Sequence, residues 1–441
     1  MNLSEFNAME AAAAIRDGQC SCEELVRACL DRIESVEATV GAWEFLDPEY
    51  ALQQARDADV FRRSGASVGP LHGVPVGVKD IFDTKDMPTA DGTVLHAGRT
   101  PAFDASAVAA LREAGAVILG KTVTTELAVY APGKTTNPHD AGRTPGGSSS
   151  GSAAAVAAGM VPLAIGTQTN GSVVRPAAYC GVYGYKPSYG RISRYRVLQQ
   201  SRVLDQVGVF GRTVEDVALM AQTMMGYDER DPDLRPRARP DLVRVTTQEP
   251  PIVPRFAFVR TPSWSQAGQD VQDGFAELVA FLGAQVTEID LNDLLANVID
   301  WHRTVMEADL ARSFHREYER GGDRLSATLR EIIERGRRCL AVDYNHAVAQ
   351  MPELSAALEE ILVDYDAVLT PAVTGEAPLG LESTGSPVFC TPWTFCGMPS
   401  ISLPVLQGSH GMPVGVQLAA ARGDDARMLR TARWLAGRIN E

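Results

Sequence analysis

The chain has 441 residues, of which 45% are hydrophobic and 22% charged, and a formal net charge of −14. This mixture suits a folded enzyme with a sizeable core rather than a disordered or fibrous chain. The net acidity argues against nucleic acid as a partner, because phosphate binding needs clustered Lys and Arg and no such run occurs.

No stretch approaches the roughly 20 apolar residues of a membrane span, and residues 1–14 show no basic segment followed by an apolar one. A cytoplasmic location is therefore expected. Seven cysteines, odd in number and irregularly spaced, fit a reducing compartment better than a disulfide framework. Cys20 and Cys22 lack a second Cys pair, and the nearest histidine is His72, so no metal site is expected there.

In chain order, Ser21 and Glu24 form a capping box ahead of Leu25, Cys29, Ile33 and Val36 at helical spacing. Pro48 opens a second helix over 48–63. Short apolar runs between Gly and Pro then mark strands at 74–78, 116–119, 162–165 and 182–185. Helices fall between and after them, at 105–114 and, behind a Thr213 and Asp216 cap, at 214–225. The stretch 227–254, rich in Asp, Arg and Pro, reads as a surface excursion or linker. A charged helical stretch covers 294–356; strands return at 367–369, 400–405 and 415–418, and a helix over 425–437 closes the pattern. This alternation implies a layered α/β sheet. The expectation is one α/β domain over 1–441 on a mixed central β-sheet flanked by helices on both faces. Its catalytic core is expected at 65–220 and a helical cap or insertion at 227–360.

One region is unlike ordinary scaffold. Gly146-Gly147-Ser148-Ser149-Ser150-Gly151-Ser152 runs into alanine-rich helix formers, then an apolar strand, then Thr167-Gln168-Thr169-Asn170-Gly171-Ser172. A flexible linker would not continue directly into such a helix and strand. A Walker phosphate loop needs a Lys at its end, and none is present. A glycine-dense turn lets successive N–H groups converge on one point, which is how an oxyanion is held.

These residues resemble the amidase-signature family, and stand-alone bacterial amidases within it. The similarity extends to Gly73-Val-Pro-Val-Gly-Val-Lys79-Asp80, Gly120-Lys-Thr, the block 145–191, Leu204-Asp205-Gln206-Val207-Gly208, Arg212-Thr-Val-Glu-Asp216 and Pro413-Val-Gly-Val-Gln417. The resemblance implies Ser172 as nucleophile, Ser148 as a relay serine that follows a cis peptide bond, and Lys79 as base. The chemistry agrees with the residue types. No histidine has a triad context, and a Lys at the end of an apolar strand is expected to lose charge on burial, so a Ser-Lys variant of nucleophile activation fits. The N–H groups of Thr169, Asn170, Gly171 and Ser172 are the expected oxyanion donors. Ser149 is placed as a supporting residue. Thr167 either orients the relay by a hydrogen bond or is simply a β-branched strand end.

Two positions depart from the family pattern: Asn170 where most members carry Gly, and Gln168 where many have Asp. Asn accepts positive φ better than most residues, so the turn is expected to survive. Arg175 either braces the loop or meets a substrate carboxylate, with bracing the expected role.

The implied activity is hydrolysis of C–N amide-type bonds in amides, anilides and aryl carbamates (urethanes), without metal or organic cofactor. The expected partner is a small-molecule substrate, with homodimer formation left open and no nucleic acid or membrane. Alternatives are the glutaminase subunit of a tRNA-dependent amidotransferase, a malonamate-type small-acid amidase, and a catalytically silent binding protein. Family position suggests Glu126, Leu127, Tyr130, Leu198, Gln199, Phe389 and Trp393 as pocket walls.

Overall fold

The computed structural model describes residues 2–440. Its short apolar runs form strands β1 (Trp43–Leu46), β2 (Pro75–Lys79), β3 (Val117–Thr122), β4 (Leu163–Gln168), β5 (Tyr183–Lys186) and β6 (Gln206–Gly211). They are followed by β7 (Phe256–Val259), β8 (Val286–Ile289), β9 (Ala367–Pro371), β10 (Ser400–Gln407) and β11 (Pro413–Ala419). All eleven join one mixed sheet in the order β1-β3-β2-β4-β6-β5-β10-β11-β9-β7-β8. β2 runs parallel to both β3 and β4, with Val78 opposite Ile165, whereas β6 is antiparallel to β4 and β5. The parallel register brings the carboxyl ends of β2 and β4 side by side, the edge at which open α/β sheets bind ligands.

The helices follow their local signals. Ser21 and Thr213 complete reciprocal capping boxes with Glu24 and Asp216, and Asp47 caps Pro48–Arg63. Ser150–Ala157 is buried over its first seven residues, so it lacks the polar stripe of a surface helix. Only small residues fit there: a Cβ on Gly151 would stand 2.3 Å from the Ala42 carbonyl oxygen.

The stretch 227–360, expected to be helical, also supplies β7 and β8. Both are four residues long, and they extend the sheet beyond β9. The helical part divides into several helices, among them Val298–Ser313, Ala327–Arg337 and Ala341–Ile361. Their apolar faces build a second core with Leu127, Leu204, Trp393 and Phe395, apart from the main core around the sheet. None of the described helices is long and apolar enough to cross a membrane.

Candidate active site

β2 ends on Lys79, and the strand that carries it is wholly buried. Lys79 Nζ donates to Ser148 Oγ at 2.8 Å and to Thr167 Oγ1 at 2.9 Å. Burial drives its pKa well below that of an ordinary lysine, with Asp205 pulling the other way. Both contacts are hydroxyls, which can accept from a neutral amine as well as from an ammonium, and neither brings a negative charge to the amine.

Ser148 follows a cis Gly147–Ser148 peptide bond. Two neighbours grip this turn. Arg175 Nη2 donates to the Gly147 carbonyl at 2.6 Å and to Thr384 Oγ1 at 3.1 Å, while Thr125 N donates to the Ser148 carbonyl at 3.3 Å. Thr125 opens a tight loop in which Leu127 (φ 45°) and Ala128 (φ 57°) are left-handed without being glycine. Such conformations persist only where the surroundings over-determine them. Here Leu127 N donates to the Asp91 carbonyl, and Gln200 Nε2 donates to the Leu127 carbonyl, both at 2.9 Å. Ser149 Oγ sits 3.3 Å from both the amide nitrogen and the carbonyl oxygen of Thr167, tying the serine turn to the end of β4.

Beyond β4 the chain turns sharply through 169–172 into the helix Val174–Cys180. The N–H groups of Thr169, Asn170, Gly171 and Ser172 find no acceptor among the described residues, although all four residues are buried. Unpaired buried N–H groups are rare, and successive ones mark a place where an anion is stabilised. Ser172 Oγ likewise has no hydrogen-bond partner among the described residues, so its hydroxyl is free to meet a substrate carbonyl.

The two departures from the family pattern acquire physical roles. Gln168 Oε1 accepts from Val173 N at 2.8 Å and Val174 N at 3.0 Å, the capping that an Asp would give, while its Nε2 donates to Thr394 Oγ1 at 2.8 Å. Asn170 does not take positive φ, so tolerance of that region is not what admits it. Its side chain is instead held from both ends, by Thr391 Oγ1 at 2.7 Å and by the Tyr130 hydroxyl at 3.2 Å. Gly171 is required for room: a Cβ there would stand 2.9 Å from Pro387 Cβ.

Asp205 lies behind the loop. Its carboxylate accepts from Thr169 Oγ1 at 2.7 Å, Gln200 N at 2.8 Å and Ser201 N at 3.0 Å, and burial raises its pKa to about 6. Arg175 is 1% exposed, and its Nε and Nη1 have no partner among the described residues.

The expected pocket walls separate into three groups. Tyr130 borders Asn170, and half-buried Leu198 and exposed Gln199 border a cavity of about 30 Å³ with Thr167, Thr169 and Asp205. A space of that size holds about one water molecule. Leu127, Phe389 and Trp393 are enclosed in packing, at 0%, 1% and 0% exposure. The Glu126 carboxylate accepts from Ser326 N at the start of Ala327–Arg337.

His302, Thr391 and Thr394 also touch the loop, although the sequence does not single them out. The Thr391 and Thr394 spacing within Thr391–Phe395 was the available signal, since it puts both hydroxyls on one face of a helical turn.

Residues 24–429 match the family model described as Amidase. The chain is 33% identical to a glutamyl-tRNA(Gln) amidotransferase subunit of Chloroflexus aurantiacus, over 97% of this chain and 95% of that protein. It superposes on a solved structure concerned with the evolutionary origins of an s-triazine catabolic enzyme at TM-score 0.92, with 27% identity and 98% of each chain covered. The native peptide amidase from Stenotrophomonas maltophilia gives TM-score 0.86 and 27% identity, over 99% of this chain and 97% of that one.

Proposed function

The chain belongs to the Amidase family and is an amidohydrolase of C–N bonds, and from that premise we propose that it works through an acyl-enzyme on Ser172. The observation that carries this reading is the wholly buried Lys79 amine on Ser148 Oγ, beside the four unpaired N–H groups of 169–172. Neutral Lys79 takes the Ser148 proton as Ser148 takes that of Ser172, and Ser172 Oγ bonds to the substrate carbonyl carbon. The N–H groups hold the oxyanion of the tetrahedral intermediate. On collapse the C–N bond breaks, and the amine leaves with the proton returned through Ser148. Water then follows the same path, and the acid is released.

The substrate in this reading is a neutral small molecule with an apolar or aromatic amine side, an anilide or an aryl carbamate, so that the enzyme is also a urethanase. An arylamine is a weaker base than an alkylamine and departs with less protonation help. Tyr130 and Leu198 are the side chains near the loop that support it.

A second reading gives the substrate a carboxylate, as glutamine or malonamate has. Two observations favour it. A buried guanidinium with two unpaired nitrogens is costly unless an anion completes it, and the relative from Chloroflexus aurantiacus belongs to an amidotransferase. The deciding experiment compares kcat/KM for a neutral anilide, an aryl carbamate, malonamate and glutamine in one buffer. Preference for a neutral substrate supports the first reading; preference for malonamate or glutamine replaces it and moves Arg175 into the substrate site.

A further inference from the structure

The loop 169–172 leaves its N–H groups unpaired, yet two of its carbonyls are held by side chains from distant parts of the chain. His302 Nε2, on the helix Val298–Ser313, donates to the Thr169 carbonyl at 2.9 Å. Thr394 Oγ1, on the turn Thr391–Phe395, donates to the Asn170 carbonyl at 2.6 Å.

In a planar trans peptide, the C=O and N–H of one unit point in opposite directions. Among the described residues the one cis bond is Gly147–Ser148, so the loop peptides are trans. Holding the Thr169 carbonyl therefore fixes the direction of the Asn170 N–H, and holding the Asn170 carbonyl fixes that of the Gly171 N–H. We propose that His302 and Thr394 are positioning residues that aim the Asn170 and Gly171 N–H groups at the oxyanion, an inference that rests on the reading of Ser172 as nucleophile.

Both anchors are rigid and complete. His302 is 1% exposed, and Val298, Val305 and Leu310 of its helix are seated in the second core. Burial lowers its pKa to about 4, so the ring is neutral at ordinary pH, and a nitrogen facing a carbonyl carries the proton. The Thr394 hydroxyl accepts from Gln168 Nε2 at 2.8 Å, and of the two carbonyls within reach of its single hydrogen, that of Asn170 at 2.6 Å is closer than that of Cys390 at 3.2 Å. Gln206 Nε2 reaches the Thr394 carbonyl at 3.5 Å, and Gln206 Oε1 receives Lys186 Nζ at 2.6 Å, so the turn is braced from β5 and β6. Donors fixed before the reaction need no reorganisation when charge develops, which is where such groups gain their catalytic effect. On this account the helices beyond β8 are part of the catalytic geometry and not only a cover.

The test uses a fluorophosphonate, which needs no knowledge of the natural substrate. Ser172 Oγ bonds to phosphorus, fluoride leaves, the serine proton passes through Ser148 to Lys79, and the phosphonyl oxygen takes the oxyanion position. Peptide mapping that finds the label on a residue other than Ser172 removes the underlying reading of the nucleophile. With Ser172 labelled, His302→Phe and Thr394→Val are expected to lower the maximal labelling rate about 10- to 100-fold while changing the reversible binding constant less than about 3-fold. His302→Gln and Thr394→Ser keep a donor and are expected to recover most of the rate. Wild-type labelling rates in folded His302→Phe or Thr394→Val overturn the inference and leave Ser172 as nucleophile. So does a loss in the Gln and Ser variants as large as in their apolar counterparts.

Discussion

Lys79 and Ser148 meet 2.8 Å apart at the carboxyl end of β2, and the second contact of the buried amine is the Thr167 hydroxyl rather than a carboxylate. Desolvation in that setting pushes the amine's pKa well below that of an ordinary lysine and so favours its neutral form. The pH dependence follows in two forms.

The first concerns rate. Lys79 accepts a proton only when neutral, so kcat/KM rises with pH to a plateau whose midpoint lies well below 10.5. A rate profile measured on one substrate checks this, and a rise only above pH 10 contradicts it.

The second concerns stability. The folded pKa of Lys79 lies below the unfolded value of 10.5, so between the two the unfolded chain binds more protons. Stability conferred at this position therefore rises with pH through that window and levels off above 10.5. Denaturant melts of wild type and Lys79→Met across pH 6 to about 10 should show wild type gaining on the variant as pH rises. A difference that does not change with pH would count against a buried neutral amine.

Single substitutions Lys79→Ala and Ser148→Ala are each expected to lower turnover by orders of magnitude with the fold intact. The double variant is expected to lose little more than either one, because in the proposed mechanism both interrupt a single proton path. Multiplicative losses measured in kcat would show two separate contributions.

Gln168→Leu removes the acceptor for Val173 N and Val174 N at the start of the helix that follows Ser172. Leaving these groups unpaired is expected to lower stability by about 2 kcal/mol or more, read by chemical denaturation, together with a fall in kcat. Stability and kcat both matching wild type would remove Gln168 from the support of the loop.

Dialysis against a chelator is expected to leave turnover unchanged, since in the proposed mechanism a lysine and a serine activate the nucleophile. Loss of activity restored by a divalent ion contradicts this.

Much of the site is legible because its residues cluster in sequence and sit at strand ends. The apolar run before Lys79 and the glycine-serine turn before Ser148 announce both burial and geometry. β1, β7 and β8, each four residues long, escape because β1 lies between two strongly marked helices and the other two lie within a stretch dominated by polar and helical signals. β6 escapes because its Gln-Val-Gly-Val-Phe-Gly reads as a motif rather than as an apolar run. His302 is beyond sequence reasoning: it lies 133 positions from Thr169 on a charged helix, and nothing local distinguishes it from a core histidine. Enclosed side chains such as Trp393 and Phe389 look like pocket walls in sequence because cores and apolar pockets use the same residue types.

The central claim, that Ser172 becomes acylated, is tested most directly by quenching the enzyme in acid during turnover of an activated aryl ester and mapping the adduct by mass spectrometry. The account predicts an acyl group on the peptide containing Ser172, with neither adduct nor hydrolysis in Ser172→Ala. An adduct on another side chain, or turnover by folded Ser172→Ala at the wild-type rate, would contradict it.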